Sequence, residues 1–146
     1  MNDIDALVEM RLDYLIEDYG ALADEQIIKI KSTLPNYFRK HINNDLIIYI
    51  ARNPVIVACC FLLISEKPAN PSFINGRTGS VLNVYTKPAY RKQGIAKQLM
   101  KQLISEANEM ELDYIELKAT DEGYHLYKSL GFQDVKSKYH HMKKEF

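Results

Sequence analysis

The spacing of apolar positions shifts repeatedly along this chain, and each shift predicts an element. Over residues 2–19, Ile4, Leu7, Val8, Leu12, Leu15, Ile16 and Tyr19 recur at three- and four-residue intervals and so share one helix face. Asn2 or Asp3 can cap its start, and Gly20 can end it. A second helix is expected over residues 24–41, kinked or split by Pro35, which lacks a donor and crowds the preceding turn. The period then shortens. Residues 46–51 and 55–65 are β-rich runs joined by Arg52-Asn53-Pro54, the pattern of an antiparallel hairpin. Residues 66–77 hold two prolines, two asparagines and a glycine, and predict a loop. A third strand is expected over residues 79–86, stopped by Pro88. Ile95, Ala96, Leu99, Met100, Leu103, Ile104 and Ala107 mark a third helix ending near Met110. A strand over 114–119 and a short helix ending at Leu130 follow. Asp121 or Glu122 opens that helix, and Gly131 suits its left-handed cap, with Phe132 as the apolar contact beyond. Residues 132–146 alternate enough for one or two more strands.

The order α-α-β-β-β-α-β-α-β(β) predicts an α/β (α+β) domain with a mixed sheet and helices on both faces. With 146 residues and no repeat, low-complexity tract or linker, one domain over 1–146 is expected. Lys+Arg and Asp+Glu both number 19, so no basic excess favours nucleic acid. The apolar run over 55–64 is about half a membrane span. The acidic N-terminal segment lacks the pattern of a signal peptide. Adjacent Cys59 and Cys60 point to opposite faces of a strand, a poor disulfide geometry, and read as small core residues of a reducing compartment. A cytoplasmic protein without a metal site is the expectation.

The chemistry concentrates in residues 81–100, VLNVYTKPAYRKQGIAKQLM. A strand leads through a short turn into an amphipathic helix. The first N–H groups of a helix lack intrahelical partners and carry partial positive charge, so they can hold a phosphate or pyrophosphate. Gly94 lets an anion approach the backbone, and Ala96 is small. Lys87, Arg91, Lys92 and Lys97 concentrate four cations within eleven residues of a chain that is neutral overall. The dinucleotide and P-loop glycine patterns are both missing.

Arg91-Lys92-Gln93-Gly94-Ile95-Ala96 resembles the [Q/R]-x-x-G-x-[G/A] signature of the GNAT superfamily of N-acetyltransferases. Leu126-Tyr127-Lys128-Ser129-Leu130-Gly131-Phe132 is similar to the family's L-Y-x-x-x-G-F segment, and the run from Ala119 to Tyr127 to its A-T-x-E-G-x-x-L-Y segment. The element order matches as well. The resemblance implies a mostly antiparallel sheet with a splayed parallel strand pair, the gap of which takes the pantetheine arm of acetyl-CoA. It implies that Val84, Tyr85 and Thr86 lie along that arm and that the Val84 N–H donates to the thioester carbonyl. The N–H groups of Lys92, Gln93, Gly94, Ile95, Ala96 and Lys97 would hold the pyrophosphate, with the Arg91 side chain bracing the loop. Tyr127 matches the family's general acid, which protonates the leaving thiolate. Thr120 stands where the family often has asparagine and can offer one hydrogen bond to the arm.

The general base stays open among Glu116, Tyr85, Asn83 and Tyr124, with Glu116 able to act directly or through water. His140 and His141 read as surface residues, and His125 as a bystander on another helix face from Tyr127. Tyr14, Tyr19, Tyr37 and Phe38, with Asp13, Glu17 and Asp18, could form an acidic aromatic wall for a cationic amine. A core stripe with a solvated acidic face explains them equally well. The implied activity is direct acetyl transfer from acetyl-CoA to a primary amine of a small molecule or peptide, by a monomer or homodimer. The alternative is a non-catalytic acyl-CoA sensor or scaffold with the same fold.

Overall fold

A computed structural model describes residues 3–146. Helices α1 (Asp3–Tyr19) and α2 (Asp24–His41) precede the hairpin β1 (Leu46–Arg52) and β2 (Ile56–Glu66). Strand β3 (Arg77–Thr86), a single 3-10 turn (Pro88–Tyr90), α3 (Ile95–Glu109), β4 (Ile115–Glu116) and α4 (Asp121–Ser129) complete the order. The sheet runs β1-β2-β3-β4, antiparallel except for the parallel β3–β4 pair. The expected fold class is therefore the observed one, a mixed sheet with helices on both faces.

Strand β2 is the centre of the domain because both of its faces are buried. Cys59 and Phe61 enter one core with Leu7, Val8, Met10 and Leu12 of α1 and Phe38 of α2. Ala58, Cys60 and Leu62 enter the other with Leu99, Met100, Leu103 and Ala107 of α3. The two adjacent cysteines thus sit in different cores, and both are free thiols. Burial in apolar surroundings pushes each thiol up to about 12.

Several expectations need correction. Pro35 does not split α2, which runs helical from Asp24 to His41. The helix is held by packing of Ile27, Ile30, Leu34 and Phe38 on the first core, which outweighs the one backbone bond that proline cannot donate. In α1, Met10 is buried, whereas Tyr19 is exposed. Asn2, one of the two residues considered as its cap, lies outside the described residues; Asp3 is helical. The strand expected over 114–119 shrinks to Ile115–Glu116, because β3 pairs with it only at Gly79 and Ser80. No strand forms over residues 132–146. An extended segment becomes a strand only when a neighbour takes its backbone groups, and none does so here.

Candidate active site

The site grows out of a defect in β3. The register against β2 shifts between Cys59 and Phe61, leaving Asn83 and Val84 without partners in the ladder. Asn83 adopts φ 52°, a left-handed backbone that asparagine tolerates better than most residues. Its side chain is 97% buried and holds the bulge in place. Asn83 Nδ2 donates to Cys59 Sγ at 3.4 Å, and Arg11 Nη1 of α1 donates to Asn83 Oδ1 at 3.2 Å. On its other edge β3 loses β4 after Ser80, so Val81 to Thr86 have no strand beside them there. The parallel pair is open at the point where Val84 lies.

The chain then turns sharply into α3. Lys92 (φ 62°) and Gly94 (φ 77°) both take the left-handed conformation, and Gly94 is the N-cap. A Cβ added to Gly94 would meet nothing within 4 Å, so its need for glycine comes from φ and from clearance for whatever approaches the turn. The N–H groups from Lys92 to Lys97 have no hydrogen-bond partner among the described residues. They form the positive end of a 15-residue helix.

Arg91 ties this turn to two other elements. Its Nε donates to the Thr86 carbonyl at 2.8 Å, and Nη1 and Nη2 donate to the two carboxylate oxygens of Glu17 at 2.8 and 2.6 Å. The guanidinium also lies 5.4 Å from the Tyr85 ring centroid. The Glu17 hydrogen bonds raise the Arg91 pKa above its ordinary value. Arg91 is thereby occupied within the protein, and of the cations that line the cleft Lys92 and Lys97 have no ion pair among the described residues.

Helix α4 closes the far wall. Thr120 is its N-cap, and its hydroxyl oxygen accepts from the Gly123 N–H at 3.2 Å. The Thr120 hydroxyl hydrogen remains available to a ligand. Gly123 has no left-handed φ; its smallness serves Tyr127 one turn later. A Cβ at Gly123 would stand 2.9 Å from Tyr127 Cε2. The Tyr127 ring rests between this bare backbone and Phe132, 5.9 Å away between centroids. Burial, then the nearby Tyr14 and Cys60, pushes its phenol up to about 12. Tyr127 therefore stays protonated at neutral pH and can donate a proton.

These pieces enclose one cleft of about 600 Å³. Val84, Tyr85 and Thr86 form its floor, Arg91, Lys92 and Gly94 to Lys97 one end, and Thr120 and Tyr127 a wall. Tyr14, Glu17 and Asp18 of α1 form the opposite wall. Tyr14 meets Tyr85 edge to face at 6.5 Å. Two expected site residues fall outside. Gln93 does not line the cleft, and Glu116 is exposed on β4, where it lines a second hollow. Tyr127 borders both spaces.

Sequence reasoning missed Arg11 as the support of the bulge and Gly123 as the seat of Tyr127. Both left a signal. Arg11 interrupts the apolar stripe of Leu7, Val8 and Leu12, and Gly123 sits inside a helix four residues before Tyr127. Among the described residues there is no cluster of metal-ligating side chains, and no helix is long and apolar enough to cross a membrane.

Comparison with known proteins agrees with this geometry. The family model described as an acetyltransferase (GNAT) domain matches residues 43–134. A predicted acetyltransferase from Clostridium acetobutylicum, solved with acetyl-CoA, is 33% identical, covers 97% of this chain and 90% of its own, and superposes with a TM-score of 0.83. A GCN5-related N-acetyltransferase from Ralstonia eutropha shares the fold at 20% identity, with 99% and 92% coverage and a TM-score of 0.80. Glucosamine-6-phosphate N-acetyltransferase from Arabidopsis thaliana does so at 16% identity, with 95% and 93% coverage and a TM-score of 0.64. No curated protein matches the chain by sequence. Bulge, open strand pair, uncapped turn and family model converge, and the chain belongs to the GNAT acetyltransferase family.

Proposed function

We propose that this protein is an acetyl-CoA-dependent N-acetyltransferase of the cytoplasm that transfers the acetyl group directly to a primary amine of a small molecule or peptide. One observation carries the reading: five residues with unpartnered backbone amides, Lys92 and Gly94 to Lys97, and a protonated Tyr127 border the same cleft. That donor set fits coenzyme A. The amides of Lys92 and of Gly94 to Lys97 hold the diphosphate, Lys92 and Lys97 add charge, and the open edge of β3 receives the amide-bearing arm.

Each residue then has a step. The neutral amine attacks the thioester carbonyl carbon. A C–N bond forms and the C–S bond breaks. The Val84 N–H, freed by the bulge, donates to the carbonyl oxygen as its charge grows. The Tyr127 hydroxyl gives its proton to the departing sulfur, while the proton lost by the amine passes to water and replenishes the phenol. Glu116 lies on the second hollow and takes no direct part in that proton removal. Cys59 and Cys60 are buried and strongly protonated, which disfavours a route through an acyl-cysteine.

The test is thiol release from acetyl-CoA across a panel of amines, with product masses measured. Wild type should release thiol only with certain amines and yield their acetamides. Tyr127→Phe should lower kcat by roughly 100-fold or more, with coenzyme affinity little changed. Coenzyme binding without turnover for any amine class would support the sensor reading instead.

A further inference from the structure

Helix α1 is anchored unevenly. Its buried residues, Leu7, Val8, Met10 and Leu12, all precede its last two turns. Beyond them Tyr14 and Leu15 are half-buried, and Asp13 and residues 16–19 are exposed. Yet this weakly packed half is the one that walls the cleft, through Tyr14, Glu17 and Asp18. Its end is also poorly matched to the helix dipole. The last turn carries Glu17 and Asp18 and no basic residue, whereas the C-terminal end of a helix favours positive charge.

Directed side-chain contacts compensate. Arg11, Tyr14 and Glu17 recur every three residues along one side of α1. They meet, in order, Asn83 at the bulge, the Tyr85 ring, and Arg91 beyond the end of β3. Arg91 is held independently of α1, because its Nε donates to the Thr86 carbonyl. Its guanidinium therefore supplies, from the coenzyme turn, the positive charge that the end of α1 lacks. The same guanidinium lines the cleft beside Lys92 and Gly94, where an unpaired one would bind a phosphate through both Nη groups. Glu17 takes both of them instead, at 2.8 and 2.6 Å.

We infer that Glu17 is a positioning residue, which seats the α1 wall on the coenzyme turn for the acceptor amine and withholds Arg91 from the coenzyme's phosphates in doing so. The inference rests on the acetyltransferase reading above. Tyr127 receives the sulfur on one wall, so the amine approaches the thioester from the other, which is α1. An amine binds productively only while that wall is seated. Losing the pair lowers the seated fraction, and the amine KM rises by the reciprocal of that fraction while kcat of the bound amine is kept. Coenzyme affinity does not follow, since the freed Arg91 gains access to phosphate. Amine and coenzyme thus part company in the variant, as they would not if Glu17 merely supported the fold.

Glu17→Gln keeps the length of the side chain and removes its charge. Amide hydrogen exchange of the ligand-free chain reads the seating without reference to catalysis. Exchange over residues 13–19 should quicken about two- to fivefold, the scale of a half-exposed ion pair, with residues 7–12 unchanged. Removing a negative charge from a helix C-terminus would by itself slow fraying, so faster exchange reports the lost contact. Calorimetry with coenzyme A should give a Kd no weaker than about twofold above wild type. The amine with the fastest thiol release from acetyl-CoA should show a KM raised about two- to fivefold, with kcat within about twofold. Glu17→Ala should repeat all three results. Unchanged exchange over residues 13–19, an unchanged amine KM, or a loss of coenzyme affinity equal to the rise in KM would each overturn the proposal. A wild-type chain that binds no coenzyme A, or releases thiol with no amine, would instead remove the reading beneath it, before any variant is compared.

Discussion

Gly123→Ala adds one methyl group beneath the ring of Tyr127, in the first turn of α4. The new carbon would stand 2.9 Å from Cε2 and 3.4 Å from both Cζ and Thr120 Oγ1. The last two distances are ordinary contacts, but the first is not, so the ring must retreat by about half an ångström to reach the usual carbon–carbon separation. The Tyr127 hydroxyl moves with it. A misplacement of about 1 Å can cost 100-fold in rate, so half of that predicts roughly a tenfold loss of kcat, or about 1.4 kcal/mol. Folding should respond the other way. Alanine keeps the N–H that Gly123 donates to Thr120, and a helical Gly→Ala change gains up to about 1 kcal/mol. The signature is a slower enzyme that is no less stable. Thiol-release kinetics and a urea midpoint, measured on the same preparation, read both halves. An unchanged kcat would mean that the seat of the Tyr127 ring does not govern its chemistry. A fall in stability parallel to the fall in rate would mean that the effect is structural.

Gly94→Glu places a charged side chain at φ 77° beside the uncapped amides; coenzyme affinity, read by calorimetry, should fall at least about 100-fold, and wild-type affinity would remove the turn from the site. Glu116→Gln should leave kcat within about twofold, since its carboxylate faces the second hollow; a loss of the roughly 100-fold expected for a general base would reinstate it as one. Stability should decline at alkaline pH. Burial raises Cys59, Cys60 and Tyr127 to about 12, so the unfolded chain ionises them first and binds fewer protons. The urea midpoint should hold below about pH 9 and fall from there toward pH 12, and a flat profile would contradict the burial of these groups.

The pattern of the chain determined most of the elements and the turn that borders the cleft. Helical spacing identified α1 and α3, and the hairpin followed from two β-rich runs around Asn53-Pro54. Gly94, after a strand and before an amphipathic helix, marked the uncapped turn, because orphan amides follow from local geometry alone. Opposite burial of Cys59 and Cys60 likewise needed only the two-residue period of a strand. Other features depended on contacts between residues far apart in the chain. Packing on the first core kept α2 whole across Pro35. The bulge at Asn83 is held by Arg11, 72 positions away, and Arg91 meets Glu17 across 74. Whether 114–119 and 132–146 became strands was settled by where a neighbour lay, for a strand's backbone bonds belong to two segments and only one of them is read at a time along a sequence.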